Sequence, residues 1–162
     1  MTIAQEPNEL TASPLYGGLL VARAWVDSDF KRLLLDDATQ AVKTFPQIPE
    51  LDAQLRAVEN TDQVHNVIVC RPCSCYPLQV LGPHPTWYSS DEYRNRIVND
   101  TRNVLTEFGL TLASGVEIRV WDSDPKRRYL VVPQRPANTD GFTETQLAAL
   151  VTRDAMIGTA VL

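Results

Sequence analysis

The chain contains 162 residues, of which 44% are hydrophobic and 22% are charged. That length suits one domain, and the composition is globular and argues against disorder. The formal net charge of -5 offers none of the basic surface that nucleic-acid binding requires, so we expect no nucleic-acid partner. The first residues do not form a signal peptide and no apolar run is long enough to span a membrane. We therefore predict a cytoplasmic protein without a membrane partner.

The amino-terminal part of the chain changes from polar to apolar. Its opening stretch contains Pro7 and Pro14, which predicts a flexible arm over residues 1–16 and a single domain over residues 17–162. From Ser28 onward, apolar residues recur at three- and four-residue spacing as far as Phe45. This spacing predicts one amphipathic helix.

The middle of the chain alternates between a strand and a loop. The β-branched residues of the segment 64–69 predict a strand that leads directly into the cysteines. Four breakers between positions 76 and 87 exclude regular structure there, so we place the cysteines on a loop. Ser89 with Glu92 predicts a capping box and a helix through about residue 98.

The last third of the chain predicts both helices and strands. A helix is expected from Asp100 to Gly109. Alternating segments at 116–121 and 129–132 flank a turn and predict a β-hairpin. Thr143 with Gln146 predicts a further capping box. The whole pattern is that of an α+β domain.

All three cysteines fall within the six residues Cys70-Arg71-Pro72-Cys73-Ser74-Cys75, which we call the claw. An odd, clustered number of cysteines does not form a disulfide framework, whereas three thiolates can converge on zinc, copper(I) or iron. A structural zinc site needs four protein ligands, and only His65 or His84 could supply the fourth. A zinc-binding module without chemistry is therefore an alternative.

The Cys73-Ser74-Cys75 half of the claw permits a catalytic metal as well. If the amides of Ser74 and Cys75 lose their protons, both nitrogens can bind the metal that the flanking sulfurs hold. The sulfurs of Cys73 and Cys75 and these two nitrogens then form a square, with Cys70 at an axial position. The sixth position remains open for substrate or water, as a catalytic metal requires.

Further motifs flank the claw and recur along the chain. These motifs are Tyr76-Pro77, Val80-Leu81-Gly82, Pro85-Thr86-Trp87-Tyr88, Val21-Ala22-Arg23-Ala24-Trp25, Val58-Glu59-Asn60-Thr61, Tyr93-Arg94, Arg119-Val120-Trp121-Asp122, Arg128-Tyr129-Leu130-Val131, Leu150-Val151-Thr152-Arg153-Asp154 and Ile157-Gly158. With them, the chain resembles the alpha subunits of nitrile hydratases and the related gamma subunit of thiocyanate hydrolase. The resemblance covers nearly everything from residue 17 onward, which makes it far more specific than the claw alone.

The resemblance implies a layered α-β-β-α domain that lacks most of the amino-terminal helical arm of its relatives. It also implies a low-spin, non-corrin Co(III) bound by Cys70, Cys73, Cys75 and the amides of Ser74 and Cys75, with Fe(III) as the alternative. Tyr76 matches the cobalt branch. Cys73 and Cys75 would be oxidised to sulfinic and sulfenic forms in the active enzyme.

The reaction that the resemblance implies is hydration of a nitrile to an amide. The metal would polarise the nitrile, and the sulfenate of Cys75 would either attack carbon or activate the attacking water. We accordingly predict Cys75, Cys73 and Ser74 as catalytic residues. The family implies a hetero-oligomer in which one or more beta subunits supply arginines to the oxidised cysteines, and an activator protein that loads the metal. The isolated chain should be nearly inactive.

The chain departs from the family pattern at three places. Arg71-Pro72 replaces a hydroxyl residue and a leucine, so Arg71 either points to solvent or a partner or supports an oxidised cysteine. Leu78 stands where cobalt-type members have tryptophan and thiocyanate hydrolase has arginine. The segment 50–54 lacks the usual Gln-Gly-Glu. These changes suit a bulky nitrile such as the nucleoside antibiotic toyocamycin, with thiocyanate as the rival substrate.

Several other residues have two interpretations each. Asp122 and Arg128 match family positions near the metal loop, or else form a salt bridge within the hairpin. His65 is expected at a surface or interface rather than at the metal. His84 either lines the pocket or faces water. Trp87 and Tyr88 are expected to pack the loop onto the core.

Overall fold

The computed structural model describes residues 15–72 and 75–162. Its helices are α1 (Tyr16–Val26), α2 (Ser28–Asp36), α3 (Ala38–Lys43), α4 (Leu78–Leu81), α5 (Asp91–Asn99), α6 (Thr101–Glu107), α7 (Glu144–Leu150) and α8 (Arg153–Ile157). Its strands are β1 (Gln54–Glu59), β2 (Val64–Val69), β3 (Glu117–Asp122) and β4 (Arg127–Val132). Within the described ranges, no helix is long and apolar enough to cross a membrane. The predicted arm, residues 1–16, lies outside the described residues except for its last two positions.

The helix predicted from Ser28 to Phe45 is divided in two at Asp37. This residue has a non-helical backbone (φ -150°, ψ 82°), and its carboxylate accepts a hydrogen bond from the N–H of Gln40 at 3.2 Å. An aspartate that caps a new helix in this way competes with continuation of the previous one. The prediction of one continuous helix was therefore wrong, although the same apolar face is buried along both halves.

The other caps agree with the sequence to within one residue. Ser90, rather than the predicted Ser89, caps α5 by accepting a hydrogen bond from the N–H of Tyr93 at 3.1 Å. The capping box of Thr143 and Gln146 is confirmed, because each side chain accepts a hydrogen bond from the other residue's N–H. These caps fix where the helices begin and thus which faces they bury.

The segment 76–87 contains short helical turns, contrary to the prediction. Pro77 and Pro85 immediately precede α4 and a 3-10 turn at Thr86–Ser89. Proline is compatible with the start of a helix because the N–H that it lacks would have no intrahelical partner there. Two of the prolines that were interpreted as breakers therefore begin a turn.

The four strands form two separate two-stranded parallel sheets. In the first, β1 pairs with β4, with Gln54 opposite Arg127. In the second, β2 pairs with β3, with Val64 opposite Glu117 and Val69 opposite Asp122. The predicted hairpin of β3 and β4 was therefore wrong, although both strands lie where the sequence placed them.

The reason for this error lies in the turn between β3 and β4. Asp124 and Arg127 exchange backbone hydrogen bonds of 3.0 and 3.2 Å, as in a tight hairpin turn, and the Asp124 carboxylate accepts from the N–H of Lys126 and Arg127. Beyond this turn the strands diverge to different partners. Local sequence encodes the turn, but the choice of partner depends on residues more than 50 positions away.

The sheets lie between helices. Helices α2 and α3 pack on β1, strand β2 contacts both β1 and β4, and α8 packs on β4 and β2. On α5, the hydroxyl of Tyr93 donates to the carbonyl of Ile68 on β2 at 2.7 Å. The expected layered α+β domain is thereby confirmed.

Gly158 ends α8 directly against strand β2. Its φ is +104°, and a Cβ at this position would lie 2.1 Å from the carbonyl oxygen of Asn66 and 2.7 Å from the Cα of Val67. Both atoms belong to backbone and cannot be displaced cheaply. Only glycine therefore allows α8 to approach β2 this closely.

We expect Gly158→Ala to destabilise the protein by more than about 4 kcal/mol, because the methyl group would overlap the backbone of β2. Gly109→Ala is the matched control: its φ is also positive (+90°), but a Cβ there meets nothing within 4 Å. It should cost only about 1–2 kcal/mol of backbone strain. Urea unfolding of both variants measures the difference, and equal losses would show that the close approach is unimportant.

Candidate metal centre

The claw begins at the carboxyl end of β2. Cys70 directly follows Val69, and its side chain is fully buried. Cys75 is partly buried and packs against the main hydrophobic core. Cys73 and Ser74 lie outside the described residues, so their roles stay predictions.

The first part of the claw is attached to the end of β3. The N–H of Ser123 donates to the carbonyl of Val69 at 2.7 Å, which extends the sheet to the residue before Cys70. The carboxylate of Asp122 accepts the backbone N–H of Arg71 at 3.1 Å and its Nε at 2.6 Å. The guanidinium of Arg71 is half exposed and pairs with Asp122.

The last part of the claw is held from two other elements. The hydroxyl of Tyr88 donates to the carbonyl of Cys75 at 2.9 Å. The Nη1 of Arg128 donates to the carbonyl of Tyr76 at 3.1 Å and lies 3.4 Å from the carboxylate of Asp52. Asp122 and Arg128 therefore have different partners, and the interpretation that they bind each other across a hairpin was wrong.

An aromatic cluster lies beneath the claw. The ring of Tyr88 is 5.0 Å from that of Tyr76, 5.8 Å from that of His84 and 6.4 Å from that of Trp87. Burial raises the pKa of Tyr88 far above its usual range, and the charge of the nearby Cys70 raises it further. Burial likewise raises the pKa of Tyr76. Tyr88 thus stays protonated and remains a hydrogen-bond donor to the claw.

The described residues fit a soft metal ion with anionic ligands. The hydroxyl of Tyr88 binds the backbone of Cys75, and the charge of Cys70 contributes to the raised pKa of the same tyrosine. The Nε of Arg128 is buried and has no acceptor among the described residues. Over residues 15–72 and 75–162, no three side chains of His, Cys, Asp or Glu group to hold a metal, so Cys73 would have to complete a cysteine site.

Comparison with known proteins decides the family. The family model described as nitrile hydratase, alpha chain, matches residues 2–160. The chain belongs to the nitrile hydratase alpha-chain family. It is accordingly a component of an enzyme of the nitrile hydratase type, as its relatives at about half sequence identity also indicate.

Three relatives illustrate the range of this family. The alpha subunit of the low-molecular weight cobalt-containing nitrile hydratase of Rhodococcus rhodochrous is 52% identical over 94% of this chain and 74% of its own length. The gamma subunit of thiocyanate hydrolase of Thiobacillus thioparus is 46% identical over 93% of this chain and 67% of its own length. A solved double mutant of the Fe-type nitrile hydratase from Comamonas testosteroni Ni1 is 41% identical, has a TM-score of 0.87, and covers 96% of this chain and 76% of that one.

The remaining predicted residues lie in the segment that follows the claw. Leu78 opens α4 and is 52% exposed. His84 is half-buried in the aromatic cluster, with its ring 5.7 Å from that of Tyr76. Trp87 and Tyr88 are buried, as expected for residues that pack the loop onto the core. Sequence reasoning did not foresee that the Tyr88 hydroxyl binds the claw backbone, because a tyrosine near a loop gives no sign of its partner.

A buried polar network lies on β2 just before the claw. The side-chain oxygen of Asn60 accepts the N–H and Nδ2 of Asn66 at 2.8 and 3.0 Å. Asn66 also donates to the carbonyl of Glu59 at 2.9 Å and accepts the indole N–H of Trp121 at 2.9 Å. The network thus connects the end of β1 to β2 and β3.

His65 completes this network and is buried, so its expected place at a surface or interface was wrong. Its Nε2 must carry the proton, because it lies 2.7 Å from the carbonyl of Gly158, which can only accept. Its Nδ1 then accepts from the amide of Asn60 at 3.3 Å. With both ring nitrogens engaged, His65 is not available as the fourth ligand of a zinc site. Burial lowers the pKa of His65, and the hydrogen bond to Gly158 partly offsets this effect.

We expect His65 to make stability depend on pH. Because its folded-state pKa lies below the ordinary value of 6.5, the unfolded chain binds a proton more readily than the folded one. The stabilisation that the neutral, buried His65 provides is therefore fully present above pH 6.5, and it is lost as the pH falls from there towards the folded-state pKa. Urea unfolding between pH 7.5 and 5 measures this decline.

His65→Gln should be less stable at pH 7.5, since the buried network loses a member. Its free energy of unfolding should also fall less between pH 7.5 and 5 than that of the wild type, because the titrating group is absent. His84→Gln, which changes the only other histidine, should keep it. An unchanged decline in His65→Gln would contradict the assignment.

Proposed function

We propose that this chain is the metal-carrying alpha subunit of a nitrile hydratase that hydrates a nitrile to its amide at a non-corrin Co(III) centre. The observation that carries the proposal is the claw, which in a member of this family begins at the buried carboxyl end of a parallel strand. Such strand ends are a common position for ligand sites. The ligands would be the sulfurs of Cys70, Cys73 and Cys75 and the amide nitrogens of Ser74 and Cys75.

Cobalt is favoured over iron by two observations. Several relatives at 46 to 52% identity are named as cobalt-containing nitrile hydratases. Tyr76 directly follows the claw, as in the cobalt branch that the sequence resembles. The Fe-type structural neighbour keeps Fe(III) as the alternative.

The bound metal would supply Lewis acidity that polarises the nitrile. The chain's own residues would supply the nucleophile or base and hold the claw in place. The sulfenate of an oxidised Cys75 attacks the nitrile carbon or activates the attacking water. Tyr88 fixes the carbonyl of Cys75 and, because its pKa is raised, keeps donating at neutral pH. The buried Cys70 anchors the opposite end of the claw.

The proposed enzyme is a cytoplasmic hetero-oligomer. Oxidised Cys73 and Cys75 carry negative charge that needs donors, which we assign to arginines of one or more beta subunits, assisted by Arg128 of this chain, whose Nε atom is buried. An activator protein loads the metal. The names of the relatives as subunits support an assembly of several chains.

Thiocyanate hydrolysis is the second candidate, because a thiocyanate hydrolase gamma subunit is 46% identical to the chain. Position 78 argues against it. Leu78 is exposed, and it is smaller than tryptophan and carries no charge, unlike arginine. It would therefore leave more space beside the claw and offer no cation to thiocyanate, which is small and anionic. We therefore favour a bulky nitrile, such as the nucleoside nitrile toyocamycin.

The metal and the oxidised cysteines can be tested on the assembled complex. We expect cobalt, a sulfur-to-metal absorption band, and an intact mass of this chain increased by three oxygens, about 48 Da, for one sulfinic and one sulfenic group. Cys75→Ser should lose the band and the sulfenic oxygen. A wild-type complex with zinc and no such band would overturn the proposal in favour of a zinc module.

The substrate can be tested by the size and charge of residue 78. We expect Leu78→Trp to lower kcat/KM for toyocamycin by about tenfold or more relative to a small nitrile, because a filled pocket rejects the larger substrate. Leu33→Trp on α2 is the control, since Leu33 is also partly exposed but lies on another element. Wild-type turnover of thiocyanate in preference to every nitrile would support the second candidate instead.

A further inference from the structure

One carboxylate holds the first residue of the claw at two points. Asp122 accepts the backbone N–H of Arg71 at 3.1 Å and its Nε at 2.6 Å. This carboxylate lies opposite Val69 in the register of β2 and β3, and the N–H of Ser123 binds the carbonyl of Val69. Cys70 is therefore enclosed between two contacts with the end of β3.

These contacts differ from an ordinary surface ion pair because one of them is a hydrogen bond to the backbone. The side chains of Arg71 and Asp122 are 54% and 32% exposed, and solvated pairs contribute little to global stability. The backbone hydrogen bond, however, fixes the direction in which the chain leaves β2. Pro72 follows at once and restricts the backbone of Arg71 to extended conformations. Cys70 is thus oriented by its neighbours on both sides.

We propose that Asp122 and Arg71 are positioning residues that orient Cys70, the first cysteine of the claw, for metal binding. The inference rests on the proposed function, because it assigns the two residues a role towards the metal site. They act through the backbone next to Cys70 rather than by touching the metal. Outer contacts of this kind commonly change metal affinity by about 10- to 100-fold.

The test is the rate at which the cobalt-loaded complex loses metal to an excess of chelator at raised temperature, followed by metal analysis and by the sulfur-to-metal band. Asp122→Asn should release cobalt about tenfold faster, because the neutral amide no longer forms an ion pair with Arg71 and has one oxygen acceptor in place of two. Arg71→Ala should show a smaller increase, since its backbone N–H remains. Arg71→Lys, which keeps a cation, should largely restore the wild-type rate.

The control is a second exposed pair on β3. Arg119 binds Glu117 at 3.0 Å with comparable exposure, at the opposite end of the strand from the claw. Arg119→Ala should release cobalt at the wild-type rate. A wild-type complex with cobalt, combined with unchanged release from Asp122→Asn and Arg71→Ala, would overturn the positioning role alone. A wild-type complex without cobalt or its band would overturn the proposed function and the positioning role with it.

Discussion

The candidate metal centre depends on the parallel pairing of β2 with β3. This pairing places Val69 opposite Asp122, so the chain enters the claw beside a carboxylate and the N–H of Ser123. In a strand, a shift of one residue moves every side chain to the opposite face. A shifted β3 would remove Asp122 from Arg71 and Ser123 from Val69. The placement of Cys70 at the start of the claw is thus a consequence of strand register.

The buried network on β2 gives a physical reason for that register. Asn66 uses its backbone N–H and its side-chain donors and acceptor within the network, and its partner on β3 is the indole of Trp121. In another register of β3, the indole N–H of Trp121 and the side-chain oxygen of Asn66 would lose each other, whereas the hydrogen bonds of Asn66 to Asn60 and Glu59 would remain. Apolar contacts alone tolerate such shifts better, because they have no direction. The network therefore contributes specificity in addition to stability.

Gly158 connects this network to the last helix. Its carbonyl accepts from His65, and the absence of a side chain lets α8 approach the backbone of Asn66. The same residue thus satisfies a buried histidine and permits close packing. A larger residue would push α8 away from β2 and leave His65 without its acceptor.

The sequence predicted those features that depend on neighbouring residues. The β-branched segment before Cys70 located β2, and Thr143 with Gln146 located the start of α7. It did not predict which strands pair, because β3 joins β2 and β4 joins β1 across more than 50 residues. The turn at Asp124 is compatible with a hairpin, and only the tertiary structure sends its two strands to different sheets.

The candidate site divides in the same way. The spacing of the three cysteines indicated a metal, and the surrounding motifs indicated the family, because both are properties of short segments. The contacts that hold the claw come from Asp122 and Tyr88, which lie 51 and 13 residues from their partners. Arg71 shows the limit most clearly: the sequence left open whether its side chain points to solvent or a partner or supports an oxidised cysteine, and it gave no sign of the contact with Asp122 on β3. The guanidinium of Arg71 pairs with Asp122, so this residue attaches the start of the loop to β3.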